Sequence, residues 1–226
     1  MQNLSIKQID LGIQKVLENS RSLIAEAMAL HTAGFYARAF TLAHLSREEL
    51  SKIYMLYAAG INLLLEKSVD WKQFRKRFNS HTSKLYSDVF GTFINTEMPQ
   101  DFDKKTHLEK MLRGVHARND LKNKSLYVGF DGNEFTKPTE LIKEHTSLRT
   151  IELAIMSLSD YEFMNKHLSI LKVKDKERLK DLFKAIPDWN NLDKETTIEL
   201  MSCLNELMTQ MRKNQQTPNM EDAPDQ

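Results

Sequence analysis

The stretch Phe35-Tyr-Ala-Arg-Ala-Phe-Thr-Leu-Ala-His-Leu-Ser-Arg-Glu-Glu-Leu-Ser-Lys52 sets two adjacent carboxylates and a lysine inside an apolar-periodic helix. Phe35, Ala39, Leu42, Ser46, Leu50 and Ile53 recur at helical spacing and predict one buried stripe. On the helical wheel Glu49 falls within the arc of that stripe, whereas Glu48 turns toward His44 one turn earlier. A carboxylate on a buried face needs a partner. This reading therefore gives Glu49 a cation from another helix, or makes the region a site rather than plain core.

Outward from this segment the same 3.6-residue period continues, with only 7 Gly and 5 Pro to interrupt it, and the chain reads as almost wholly helical. A first helix is expected from about Ile6 to His31, with Ile6, Ile9, Ile13, Val16, Leu17, Ile24 and Met28 facing inward. Gly34 ends it, and a second long helix runs through Leu65. Asp70, with Gln73 three residues on, resembles the N-cap of a third helix ending near Gly91. Pro99 and Asp101 mark a loop, after which a fourth helix reaches about Lys124. From Leu126 to Pro138 bulky residues alternate around Asp131-Gly132, the pattern of a short β-hairpin or an ordered extended loop. Pro138 heads a fifth helix to about Leu171, and two shorter helices are expected near 175–185 and 194–212. Residues 1–213 thus read as one helical domain, and residues 214–226 as a disordered polar tail.

At 226 residues and 41% hydrophobic content the chain can bury one substantial core. No apolar run approaches the roughly 20 residues of a membrane span, and the N-terminus lacks the apolar core of a signal peptide. The single cysteine, Cys203, forms no intrachain disulfide, which fits a reducing cytosol and a cytoplasmic protein. The net charge of +1 hides an asymmetry, because residues 67–124 carry 13 Lys and Arg against 7 Asp and Glu. The middle of the chain is its anion-facing part, suited to RNA or to a solvated basic face.

Gly-rich phosphate loops, cysteine pairs, the Gly-x-Ser-x-Gly elbow and the His-Glu-x-x-His helix are all absent. His44 and Glu48 lie one turn apart, but without any Glu-x-x-His helix to complete a di-metal site, a hydrogen bond is the expected relation. Neither a metal nor a cofactor is expected. One helical class of nucleases places an Arg and a His four to six positions apart, so that the imidazole moves a proton while the guanidinium holds the scissile phosphate. Arg38 with His44 and Arg75 with His81 have that spacing; the second pair lies in the more cationic segment, Trp71 to Lys84, and is the better catalytic candidate. Arg118 is a third candidate, although Asn123, Lys124 and Ser125 stand where its histidine would fall. With Lys122 and Lys124 it forms a phosphate-binding set just before the Tyr127 loop.

Three stretches together resemble the bacterial abortive-infection family AbiV, a branch of the HEPN helical superfamily. They are Ala39 to Lys52, Phe74 to Leu85 with His81-Thr-Ser-Lys84-Leu, and Leu126-Tyr-Val followed by Pro138. The resemblance implies an all-α, HEPN-like antiparallel helical bundle and a homodimer. It implies a phage-defence protein that arrests host translation or RNA function when infection is sensed, by direct contact with a phage-encoded activator or otherwise. Active HEPN relatives cut RNA without metal, through an Arg and a His of each subunit. Carried over, Glu48, Glu49 and Lys52 match the signature helix, His81 and Lys84 the next motif, and Leu126 and Tyr127 the third. Two positions depart from the pattern: Gly129 stands where an acidic residue is usual, and Arg118 lacks its histidine. A non-catalytic reading stays open beside the nuclease: a helical binding protein, or a toxin or antitoxin partner, that sequesters an RNA, ribosomal or phage-encoded protein.

Overall fold

The computed structural model describes residues 3–99, 101–130 and 132–167, together with 205, 206, 209 and 213. It is an all-α fold with one two-stranded ribbon. In chain order come α1 (Ile6–Thr32), α2 (Tyr36–Leu50), α3 (Lys52–Leu64), α4 (Trp71–Asn79), α5 (His81–Asn95), α6 (Lys104–Arg113) and α7 (Val115–Leu126). Then follow β1 (Gly129–Phe130), β2 (Phe135–Thr136), α8 (Pro138–Leu141) and α9 (Glu144–His167). Among the described residues no helix is long and apolar enough to cross a membrane.

The helix starts follow side-chain chemistry. The Ser5 hydroxyl accepts from the Gln8 amide while the Gln8 side chain accepts from the Ser5 amide, a capping box that opens α1. Asp70 accepts from the Lys72 and Gln73 amides at 3.0 and 2.9 Å, so the N-cap expected from sequence opens α4. The next start falls later than Asp101, because Asp103 is the residue that accepts from Thr106 and caps α6.

Four of the five long helices expected from periodicity are divided. Ser51 separates α2 from α3, Gly114 separates α6 from α7, and Ser80, in extended conformation, caps α5 by accepting from the Ser83 amide. The last of the four is the fifth helix, with Pro138 heading the short α8 and α9 beginning at Glu144. The hairpin pairs Gly129 with Thr136 and Phe130 with Phe135, and Gly132 supplies the positive φ its turn requires. The helices expected near 175–185 and 194–212, apart from the helical residues 205, 206 and 209, and the tail at 214–226, lie outside the described residues.

The helix pair α2–α3 is the centre of the structure. α1 and α9 pack on α2 from one side and α5 and α7 from another. Along α1 and α2, Ser46 and Ser20 exchange hydroxyl-to-carbonyl hydrogen bonds at 3.2 and 3.5 Å, which small side chains permit at a close helix contact. The principal core gathers Ile9 and Ile13 of α1, Leu50, Ile53 and Leu56 around the α2–α3 break, Leu85, Val89 and Phe93 of α5, Leu108 of α6 and Val115 of α7. Each such buried side chain contributes about 1.5–3 kcal/mol. Because α2 is covered on nearly every face, even its polar residues Thr41, His44, Ser46 and Glu48 are buried.

Candidate functional site

Three helices meet around the Glu48 carboxylate. α2 supplies Glu48 and His44, α5 begins with His81 and carries Lys84 one turn later, and α7 brings Lys122. Glu48 is only 1% exposed. Its Oε2 lies 2.6 Å from His81 Nδ1 and 3.3 Å from Lys84 Nζ. Its Oε1 lies 3.0 Å from Lys122 Nζ and 3.5 Å from His44 Nε2. Both lysines are buried, whereas the His81 side chain is 56% exposed. The junction is therefore a sealed ion cluster with one imidazole reaching water.

Burial alone raises the pKa of a carboxyl group, but the close approach of His44, hydrogen bonds with His81 and Lys122, and the Lys122 charge hold Glu48 well below the usual carboxylate range. Neighbouring side chains hold it in place. Ser51 donates to the Glu48 carbonyl at 2.7 Å, Ser125 to the Lys122 carbonyl at 2.6 Å, and the Ser125 and Thr41 hydroxyls lie 2.7 Å apart, joining α7 to α2.

A second charged layer lies one turn away along α5 and α7, beginning on α2 with Arg47, the residue before Glu48. Arg47 Nη2 lies 2.7 Å from Asp88 Oδ2, and both side chains are largely buried. Arg118 of α7 donates to the Met111 carbonyl at 3.0 Å, closing the α6–α7 break. Burial pushes its guanidinium below its ordinary pKa, with Asp88 countering and Arg47 adding to the effect. Each layer thus sets one carboxylate among more than one cation. Within the described residues the Arg47 and Arg118 Nε atoms are buried without a hydrogen bond. The sequence reading missed Arg47 and Asp88; the spacing Lys84-x-x-x-Asp88 on α5, matched by Arg118-x-x-x-Lys122 on α7, is a signal that points to Asp88, and none marks Arg47.

The two acids of the signature helix exchange the roles expected from the wheel. Glu48 is the buried residue that takes cations from α5 and α7; Glu49, on the α1 side, pairs with Lys52 and accepts from Asn19 at 3.3 Å. Lys52 also sits over the Phe78 ring, 4.9 Å from its centroid. The wheel fails because it assumes one wet face, and α2 has none to spare. His81 and Lys84 join Glu48, as does Lys122. Arg75 does not lie on the helix of His81: it is half-buried on α4, across the Ser80 break, and makes no ion pair with the described residues. Arg38 is exposed and His44 buried, so that pair shares no open face. Tyr127, with Val128, Phe130 and Phe135, is strongly exposed on the hairpin that follows α7. Among the described residues no group of three or more His, Cys, Asp or Glu side chains is arranged to hold a metal ion.

Against known families, the chain matches the model described as AbiV, of the HEPN class, over residues 8–159. That span runs from α1 through most of α9 and includes every member of the charged junction. No curated protein and no solved structure matches it.

Proposed function

Because the chain belongs to the AbiV family of HEPN proteins, we propose that it acts in phage defence by abortive infection, arresting host translation or RNA function as a metal-independent endoribonuclease. The observation that carries this reading is His81, an exposed imidazole bound at 2.6 Å to a buried carboxylate in a cation-rich junction. Such an imidazole is placed to work as a general base. In the reaction, His81 takes the proton of a ribose 2′-hydroxyl, the 2′-oxygen bonds to the adjacent phosphorus, and the bond to the 5′-oxygen breaks, that oxygen taking a proton from water. A cyclic 2′,3′-phosphate and a 5′-hydroxyl result. Arg75, unpaired among the described residues, is the candidate cation for the pentacoordinate phosphate. Arg118, engaged with the Met111 carbonyl, serves the junction from behind.

The test is purified protein with total RNA in the presence of a chelator. Cleavage that leaves cyclic phosphate ends and disappears in His81→Ala supports the reading; cleavage that survives His81→Ala combined with Arg75→Ala overturns these assignments. A second reading, a non-catalytic protein that sequesters an RNA, ribosomal or phage-encoded partner, is favoured by the exposed apolar hairpin residues Tyr127, Val128, Phe130 and Phe135. On that reading RNA stays intact, while Phe130→Ser with Phe135→Ser abolishes protection against phage. In either case a homodimer in the cytoplasm is the proposed working form, checked by sedimentation of the purified chain.

A further inference from the structure

A neutral imidazole carries its proton on one of two nitrogens, and the hydrogen bond made by one decides the chemistry open to the other. His81 Nδ1 has two polar neighbours, Glu48 Oε2 at 2.6 Å and Lys122 Nζ at 3.3 Å. They make opposite demands, since a carboxylate requires a proton on Nδ1 and an ammonium requires a lone pair there. Three features decide between them. The carboxylate contact is much the shorter. Lys122 already donates to Glu48 Oε1 at 3.0 Å. And Glu48, facing Lys84, Lys122 and His44 as well as His81, is surrounded by donors in a site where an ionised carboxylate acts only as an acceptor.

We infer that Glu48 is the positioning residue for His81: it holds the neutral ring in the Nδ1–H form, so that Nε2, on the far edge of an exposed ring, presents its lone pair as the proton acceptor. The inference deepens the nuclease reading and rests on it for its purpose, but not for its geometry. The two lysines keep the carboxylate charged and fixed, and α5 delivers the imidazole from its first residue, so that the ring leans on a buried anchor while its outer edge faces solvent. Glu49, paired with Lys52 on another side of the helix, has no such part.

The experiment is a long-range 1H–15N correlation spectrum of the uniformly labelled full chain at about pH 8, above the usual imidazole range. His81 is assigned by the signals that vanish in His81→Asn. The expected pattern is a protonated Nδ1 and a bare Nε2; an Nε2–H pattern, or one averaged between the two forms, overturns the inference. Glu48→Leu with Lys122→Met removes the anchor at unchanged net charge and leaves only Lys84 of the two buried lysines without its anion. In this variant, once circular dichroism confirms the helical fold, the ring is expected to move to the Nε2–H form, and retention of Nδ1–H overturns the inference. If RNA is cleaved, the same variant slows cleavage by at least about tenfold, a part of the roughly 10²–10⁴ that loss of the acid–base group itself would remove. An Nδ1–H ring in a protein that cleaves no RNA supports the positioning role and removes the nuclease reading. His81-dependent cleavage with an Nε2–H ring does the reverse.

Discussion

The two ends of α5 both bury polar side chains, and they do so in opposite ways. At the N-terminal end His81, Lys84 and Asp88 enter a charged junction with Glu48, Arg47 and Lys122. At the C-terminal end the cluster is neutral: Asn95 donates to the Tyr54 hydroxyl and to the Gly91 carbonyl, both at 3.0 Å, and Tyr54 packs edge-on against Tyr161. That end is closed by Asn205, whose amide lies within 2.8–3.0 Å of the Phe93, Ile94 and Thr96 carbonyls, the orphan acceptors of a helix terminus. Neutral hydrogen bonds complete a core, whereas the ion cluster leaves one member, His81, in water. The same helix thus carries a neutral end and a charged end.

The comparison breaks most visibly at Glu48. Glu48→Gln leaves Lys84 and Lys122 buried without their anion, and removing one partner of a buried pair costs about 3–5 kcal/mol. Urea denaturation is expected to show that loss, with part of it regained when Lys122→Met is added. The two ends also separate by pH. Glu48 has a folded pKa depressed below its ordinary 4.5, so its stabilisation is complete above that value and is lost as pH falls below it toward the folded value. Tyr161, fully buried, has its hydroxyl pushed well above 10, and Tyr57, through burial first and the Asp10 charge second, is pushed up to about 12. A raised folded pKa contributes stability that is complete below the unfolded value and lost as pH rises past it. Unfolding midpoints followed across pH should therefore fall below about pH 4.5 through the charged end and above about pH 10 through the tyrosines. Tyr57→Phe is expected to reduce the alkaline loss and leave the acid limb unchanged.

A smaller effect tests the neutral end. A Cβ at Gly91 would lie 2.5 Å from a Tyr54 ring carbon and 2.7 Å from the Tyr161 hydroxyl oxygen. Overpacking of this kind costs about 1–3 kcal/mol, against about 1 kcal/mol of helix propensity gained on replacing glycine. Gly91→Ala is thus expected to lower the melting temperature, and a neutral or stabilising result would mean that this cluster is looser than its contacts imply.

Much of the helical architecture was legible in the chain, and the failures share a cause. Apolar period identifies helices but does not register a one-residue break that keeps the phase, as at Ser51, whose backbone stays in the right-handed helical region. At Ser80 the N-cap signal was present in the residue itself, yet the period on either side concealed it. That break also undoes the spacing argument for Arg75 and His81, since six residues counted across two helices do not define one face. The adjacent acids were misassigned for a related reason. A helical wheel presumes one dry side and one wet, whereas α2 is enclosed by α1, α5, α7 and α9, and which of its polar residues meets a cation is decided by those neighbours. His81 and Lys84 were legible as a motif; that Glu48 and Lys122 complete it is a tertiary fact, since they stand 33 and 41 residues from His81.

The gentlest perturbations sharpen the contrast furthest. His81→Ala removes an exposed partner from a carboxylate that keeps both lysines, and is expected to cost under about 1 kcal/mol in stability, the range of exposed ion pairs, while abolishing any cleavage. Glu49→Gln removes only a pair spaced three residues apart and is expected to cost about 0.2–0.5 kcal/mol, with cleavage retained. Set beside Glu48→Gln, it compares the same chemical change at adjacent positions of one helix. A tenfold or larger difference in folding equilibrium between the two variants would follow from burial and neighbours alone, because the residue type is identical. Equal losses would mean that the cations of α5 and α7 are not anchored on Glu48, and the charged end of α5 would then lose its centre.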